Sequence, residues 1–129
     1  MITVFTPTYN RAYIIRKLYK ALCGQINKNF EWLVVDDGST DNTEFLIKDF
    51  VAENKIKIKY IRQQNGGKHI AINTGVAAAS GDLFFIVDSD DYLDSHALET
   101  LAKVTANDKY DMIYFNTYVV DEKGEKLQI

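Results

Sequence analysis

The sequence predicts an α/β protein whose central sheet is mostly parallel and carries helices on both faces. Short apolar runs alternate with amphipathic helical patterns along the chain, and polar, turn-rich segments follow the apolar runs. Two of these runs are continuously apolar, which is typical of strands covered on both faces. The length of 129 residues fits one domain, so we treat residues 1–129 as a single unit.

Composition narrows the class of protein further. Hydrophobic residues make up 47% of the chain and charged residues 26%, which is enough apolar material for a core and excludes a disordered chain. The net charge is −3 and the lysines are scattered, which argues against duplex nucleic acid as a partner. The single cysteine, Cys23, cannot form an intramolecular disulfide, and no apolar run approaches the roughly 18 residues of a membrane span. We therefore expect a reduced, cytoplasmic setting.

Each predicted strand is a short apolar run bounded by turn residues. The second and fourth strands are continuously apolar, so we expect them at the centre of the sheet. Residues 114–120 alternate between apolar and polar, and a charged turn at residues 121–126 leads into residues 127–129, which predicts a hairpin. The predicted strands are residues 2–5, 31–35, 56–61, 83–87 and 112–115.

Helices are predicted between the strands, because apolar residues recur there at helical spacing. An Ala-rich helix is expected over residues 70–79. Asp41 stands three residues before Glu44, which predicts an N-cap, and residues 94–95 can cap a helix over residues 96–106. The predicted buried faces are Ile15, Leu18, Tyr19 and Leu22; Ile47, Phe50 and Val51; and Leu98, Leu101 and Ala102.

Four polar segments follow predicted strands. Ligands of open parallel sheets bind beyond the carboxyl ends of the strands, so we expect all four segments at one edge of the sheet. Acidic pairs directly after two apolar strands place charge beside the core, and such charge needs a partner. The segments are residues 6–11, 36–41, 63–68 and 88–91.

Taken one at a time, these segments have two interpretations. Residues 88–91 supply the carboxylate oxygens that Mg²⁺ and Mn²⁺ prefer, but a short D-x-D pattern is more often a turn that caps a helix. Residues 36–37 likewise begin a sequence typical of a turn. Residues 65–68 could hold phosphate at a helix start, although two glycines also form ordinary loops.

Taken together and in this order, the segments resemble the nucleotide-sugar-binding half of glycosyltransferase family 2, which has the Rossmann-like GT-A fold. The similarity runs from residues 3–11 through 35–41 and 65–75 to 88–91, nearly the whole chain. It implies an inverting, metal-dependent enzyme of the hexosyl- or N-acetylhexosaminyltransferase class. Such an enzyme transfers a sugar from a nucleoside-diphosphate sugar, with a UDP-sugar favoured, to a glycan, a lipid or another hydroxyl acceptor.

The resemblance also implies roles on the nucleoside side of the site. Thr6, Pro7 and Tyr9 correspond to a first loop that lies against the base and ribose. One member of the Asp36 and Asp37 pair corresponds to the aspartate that accepts a hydrogen bond from the uracil ring N–H. Asp36 is favoured, and Asp37 stays open.

On the diphosphate side, Asp88 is expected near the ribose and metal-bound water, and Asp90 as the direct ligand of Mn²⁺ or Mg²⁺. Lys68 matches a basic position near the nucleotide. Asp91 is expected close to the donor sugar and is the candidate catalytic residue of this chain. The remaining nucleotide-sugar-binding candidates are Arg11, Asn65, Gly67 and Ser89.

The family's general base lies in its acceptor-binding half, which the resemblance places after Ile129. We therefore expect residues 1–129 to be the donor-binding part of a longer enzyme and to be poorly active by themselves. The full-length protein is expected in the cytoplasm with peripheral association at the inner face of the membrane. No oligomeric state is predicted.

Three other interpretations compete with a transferase. A response-regulator domain would carry its acidic pair after the first strand, where this chain has residues 6–9 instead. A sugar-phosphate nucleotidyltransferase would have a Gly-rich, basic loop at the same place. A non-catalytic nucleotide-sugar-binding module derived from a transferase stays open, since it would share every motif.

Overall fold

Strands and helices alternate along residues 1–127, the part of the chain that the computed structural model describes. Within these residues the strands form one four-stranded sheet in the order β3-β2-β1-β4, and every neighbouring pair is parallel. The predicted α/β class is thereby confirmed. The strands are β1 (Ile2–Thr8), β2 (Phe30–Asp36), β3 (Ile58–Arg62) and β4 (Leu83–Ile86), and the helices are α1 (Ile15–Cys23), α2 (Thr43–Glu53), α3 (Lys68–Ala78) and α4 (Ala97–Thr105).

Helices cover both faces of this sheet, as predicted. Helices α1, α2 and α4 pack on one face, where Trp32 and Phe50 are among the largest fully buried side chains. Helix α3 covers the other face and places Ala71 against Phe5 and Leu33. The two clusters form a three-layer core with the sheet in the middle.

The order of the strands differs from the sequence prediction. Strands β2 and β1 are the inner ones, whereas β4 lies at an edge of the described sheet and Ile86 is 44% exposed. The prediction that β4 is central is therefore wrong. Strand β1 is buried at every residue except Pro7. Its threonines are accommodated because Thr3 donates a hydrogen bond to Glu31 (2.8 Å) and Thr6 accepts one from the indole N–H of Trp32 (2.9 Å).

Two predicted helix details also change. Val51 is exposed, because the buried face of α2 runs through Thr43, Ile47 and Phe50 instead. Asp41 is not the N-cap of α2, although its carboxylate accepts the backbone N–H of Thr43 at 2.9 Å. The N-cap is the next residue, Asn42.

The segment after α4 is mostly irregular. The predicted strand over residues 112–115 is absent from the described chain, so that prediction is wrong. The predicted hairpin is reduced to one antiparallel bridge between Val120 and Lys126, closed by a turn at residues 121–125. Residues 128–129, which complete the predicted hairpin, lie outside the described part.

Helices of residues 1–127 are too short or too polar to cross a bilayer.

Candidate functional site

All four predicted segments meet at the edge formed by the carboxyl ends of the parallel strands. The register places Thr8 beside Asp36 and Asp36 beside Arg62, so β1, β2 and β3 end level with one another. A cavity of about 450 Å³ opens at this edge, a size in the range of small-molecule sites. It is lined by Pro7, Thr8, Tyr9, Asn10, Arg11, Asp37, Lys68, Ala71, Asp88, Ser89 and Asp90.

Thr6 and Asp36, by contrast, lie beneath the cavity and are fully buried. The two oxygens of Asp36 are already engaged: Oδ1 accepts the backbone N–H of Ser39 at 2.8 Å, and Oδ2 accepts the hydroxyl of Tyr60 at 2.6 Å. Asp37, the next residue, is the member of the pair that lines the cavity. Of the two aspartates, Asp37 is therefore the one that borders the cavity, whereas Asp36 lies below it.

Asp37 also organises the Gly-Gly turn, residues 65–67. Its Oδ1 accepts the side-chain amide of Gln63 (2.8 Å) and the backbone N–H of Gly66 (2.9 Å). Its Oδ2 accepts the backbone N–H of Gly67 (2.9 Å) and a longer bond from Asn65 Nδ2 (3.3 Å). Burial by itself would raise the pKa of Asp37, but these hydrogen bonds outweigh it and hold the pKa below its ordinary value.

The Gly-Gly turn has a backbone conformation that suits glycine. Gly67 has a φ of +103°, which side-chain-bearing residues rarely adopt, and α3 begins at the next residue, Lys68. Asp37 thereby ties the end of β2 to the start of α3. Asn65 and Gly67, which do not line the cavity, belong to this support.

An acidic turn, residues 88–91, lines the cavity beside Lys68. The backbone N–H of Asp91 donates to the carbonyl of Asp88 at 3.1 Å, which closes the turn. Carboxylate oxygens of Asp88, Asp90 and Asp91 all lie within 4.8 Å of one another. The Nζ of Lys68 lies 2.8 Å from Asp88 Oδ1.

Asp91 joins this acidic cluster, although the sequence predicts it beside the donor sugar. Burial raises the pKa of Asp91, the negative charges of Asp90 and Asp88 raise it further, and Lys68 partly opposes them. Crowded carboxylates of this kind are stabilised by a bound cation, and an all-oxygen donor set fits Mg²⁺ or Mn²⁺.

The outer part of the first loop, residues 9–11, forms another wall of the cavity. Tyr9 is 46% exposed and offers an aromatic face at the cavity. The guanidinium of Arg11 donates to the hydroxyl of Tyr13 at 3.1 Å, so it is held at the rim. This wall is aromatic and cationic, whereas the acidic turn is anionic.

Sequence reasoning missed several residues of the site. Thr8, Asn10 and Ala71 line the cavity, and Tyr60 and Gln63 hold the two aspartates. The role of Asn10 could have been suspected from sequence, because asparagine tolerates the left-handed conformation that it adopts here. Thr8 and Gln63 lie in two of the predicted polar segments, whereas Ala71 and Tyr60 leave no signal, since their roles depend on which elements become neighbours.

A second, more open groove of about 550 Å³ lies on the outer side of α1 and α2. It lacks the acidic cluster and the Gly-Gly turn, so it offers no comparable set of groups to a charged ligand. Its lining is Ala12, Arg16, Asn42, Phe45, Leu46 and Asp49.

Comparison with known proteins matches residues 3–128 to the family model described as glycosyl transferase family 2. Among curated proteins, the chain is similar to glycosyltransferase GlyA of Streptococcus pneumoniae serotype 4. The two are 39% identical over 121 residues, which cover 94% of this chain and 17% of GlyA.

Among solved structures, the chain is similar to TarS residues 1–349 of S. aureus in complex with UDP-GlcNAc. The TM-score is 0.72 at 33% identity, covering 79% of this chain and 30% of TarS. It is also similar to the mannosyltransferase PcManGT of Pyrobaculum calidifontis in complex with GDP-Man and Mn²⁺, with a TM-score of 0.76 at 27% identity, covering 82% of this chain and 32% of that one. The chain thus spans less than a third of each of these relatives.

Proposed function

The chain belongs to glycosyltransferase family 2, and from that premise we propose that its cavity binds the nucleoside diphosphate of a sugar donor, with uridine as the base. The proposal rests on one observation: two sides of the cavity carry different chemical groups. One side offers an aromatic ring and the Asp37 carboxylate, and the other offers three clustered carboxylates beside Lys68. A nucleoside diphosphate needs two such sides, because its base and its phosphates are recognised by different groups.

The base is proposed to lie against Tyr9 and to donate a ring N–H to Asp37. Of the two carboxylate oxygens, Oδ2 is the better acceptor, because one of its two hydrogen bonds is the long contact with Asn65. Pro7 completes this wall with an apolar surface. Thr6 and Asp36 support it from below without touching the ligand.

The diphosphate is proposed to lie between the Gly-Gly turn and the acidic turn. Asp90 and Asp88 are the proposed ligands of a divalent cation, with Asp91 beside them. A bound cation would neutralise the charge that develops on the diphosphate as the sugar–phosphate bond breaks. Lys68 is placed to contact the same phosphates, and Asp37 holds the turn from which Lys68 extends.

The relatives support a nucleotide donor but differ in its base. TarS 1–349 was solved with UDP-GlcNAc and PcManGT with GDP-Man and Mn²⁺. We favour uridine because the identity to TarS is higher, 33% against 27%. A carboxylate acceptor does not itself decide between the two bases, since both carry ring N–H donors.

The whole reaction is proposed to be inverting transfer of a hexosyl or N-acetylhexosaminyl group to a hydroxyl of a glycan or lipid-linked acceptor. Residues 1–127 contribute the donor side of that reaction. A module that binds the donor without transferring sugar is the alternative. Donor hydrolysis or transfer by the natural protein would decide against this alternative.

Titration calorimetry of UDP, in Mn²⁺ and in excess chelator, tests the donor site. We expect Asp90→Asn to weaken UDP binding in Mn²⁺ and to spare uridine, because an amide replaces a charged metal ligand. Asp37→Asn should weaken uridine itself by about 1–3 kcal/mol, because a charged acceptor is lost.

Asp121→Asn is the matched control for these variants. Asp121 also accepts two backbone N–H groups, from Lys123 and Glu125 at 2.9 Å each, but it does so in the C-terminal turn. Equal UDP affinity with and without metal would contradict the metal site. Tighter binding of GDP than of UDP would overturn the choice of uridine only.

A further inference from the structure

We propose that Asn10 is a positioning residue for the base side of the donor cavity. It sits in the middle of the first loop, between Tyr9 and Arg11, and fastens that loop to the segment that follows β2. The ligand in this inference rests on the proposed function. The role itself rests on the contacts of one side chain and on its backbone conformation.

The side chain of Asn10 joins two loops. Its Oδ1 accepts the backbone N–H of Thr40 at 2.7 Å and that of Asp41 at 3.2 Å. Its own backbone N–H donates to the hydroxyl of Ser39 at 2.8 Å. The hydroxyl of Thr40 also donates to Oδ1 at 3.4 Å, so four hydrogen bonds run from this one residue of the first loop to residues 39–41.

The backbone conformation of Asn10 also favours asparagine at this position. Its φ is +52°, in the left-handed region that costs most side chains about 1–2 kcal/mol and that asparagine tolerates well. The chain changes direction at this residue, and the residues on both sides line the cavity. A residue that relaxed to negative φ would move Tyr9 and Arg11 relative to each other.

Two other hydrogen bonds, on either side of residues 9–11, also join this part of the chain to the segment that follows β2. The backbone N–H of Asp37 donates to the carbonyl of Thr8 at 2.9 Å, and the N–H of Ala12 donates to Asp41 Oδ2 at 3.1 Å. These bonds do not involve Asn10. Loss of its side chain should therefore disturb the position of Tyr9 and Arg11 without unfolding the segment.

The test compares three Asn10 variants by NMR titration with uridine, which lacks the diphosphate and needs no metal. Asn10→Ala should weaken uridine binding about tenfold, equivalent to about 1.4 kcal/mol, because it loses both the acceptor and the tolerated φ. Asn10→Gly keeps the φ and should lose less. Asn10→Asp keeps the Oδ acceptor and should bind uridine within about twofold of the original chain, a rescue by the conservative variant.

Asn54→Ala is the matched control. Asn54 has a φ of +53° at the C-terminal end of α2 and does not line the donor cavity. Asn54→Ala should lose the stability that depends on a tolerated left-handed φ, as Asn10→Ala also does, while keeping its affinity for uridine. The affinity of Asn10→Ala for Mn²⁺ alone should also be unchanged, because the hydrogen bonds of Asn10 go to residues 39–41 and not to the acidic turn.

Uridine affinity that stays at the original value in a folded Asn10→Ala chain, or in Asn10→Gly should the alanine variant not fold, would overturn the positioning role alone. Equal losses of uridine affinity in Asn10→Ala and Asn54→Ala would overturn the positioning role as well, because they would show that lower stability alone weakens binding. Failure of the unmodified chain to bind either uridine or UDP would overturn the proposed function and this role together.

Discussion

At the scale of single residues, Glu31 shows how a buried carboxylate is held by partners on other segments of the chain. Glu31 on β2 is fully buried, and its Oε1 accepts the hydroxyl of Thr3 at 2.8 Å and the backbone N–H of Ser80 at 2.7 Å. The backbone N–H of Gly81 in turn donates to Thr3 Oγ1 at 2.9 Å. Burial would raise the pKa of Glu31, yet these bonds and the charge of Lys57 lower it. Glu31 therefore acts as a charged link at the end of the sheet opposite the cavity.

The hydroxyl of Thr8 is the opposite case. It is buried at the other end of β1 and has no hydrogen-bond partner among residues 1–127. Thr3→Val should lower the free energy of unfolding by about 1–3 kcal/mol, because Gly81 and Glu31 each lose a partner. Thr8→Val should leave that free energy unchanged or raise it, since it removes an unpaired group. Urea unfolding of both variants provides the measurement, and equal losses would contradict this assignment of partners.

Site residues were predictable to different degrees. Asp88 and Asp90 could be placed at the cavity from sequence, because a polar segment after a parallel strand must lie at the carboxyl edge. The choice between Asp36 and Asp37 could not be made in this way. Consecutive residues at a strand end point in different directions, and Asp36 is turned inward by Tyr60, which comes from another strand.

At the scale of elements, the close approach of α3 to β1 depends on Gly75. A Cβ at this position would lie 2.3 Å from Cε2 of Phe5, which is fully buried and stacks on Phe84 with ring centroids 5.0 Å apart. Only a glycine lets the helix lie this near the sheet. The start of α3 carries Lys68, so this packing also determines where the Lys68 side chain lies in the cavity.

Gly75→Ala should therefore destabilise the protein by about 1–3 kcal/mol, because Phe5 must move within a packed core. The helix propensity of alanine, worth about 1 kcal/mol, does not offset this cost fully. Gly24→Ala is the control: Gly24 follows α1, and a Cβ there would meet nothing closer than a carbonyl oxygen at 3.5 Å. Thermal unfolding should show a clear loss for the first variant and almost none for the second, whereas equal changes would contradict the packing argument.

Element types were largely predictable from periodicity, but strand order was not. Strand β4 has the apolar run of a central strand, and yet it lies at the edge of the described sheet. In β1, threonines stand between the apolar residues, and yet this strand is central. The threonines are accommodated by Glu31 and Trp32 on β2, and this long-range pairing leaves no pattern within β1 itself.

At the scale of the whole molecule, the parallel sheet is what turns four separate segments into one site. Strands that all point the same way deliver the first loop, Asp37, the Gly-Gly turn and the acidic turn to a single edge. The cavity there collects opposite chemistries from a chain whose net charge is only −3. We therefore expect this edge, and not the groove on α1 and α2, to bind the nucleoside diphosphate.

An NMR titration of the isotope-labelled 129-residue chain with UDP in Mg²⁺ tests that claim most directly. The largest changes in backbone amide shifts should fall on residues 9–11, on Asp37, on the Gly-Gly turn and on residues 88–91. Shifts confined to the groove around Arg16 and Phe45, or the absence of saturable shifts at millimolar UDP, would contradict it.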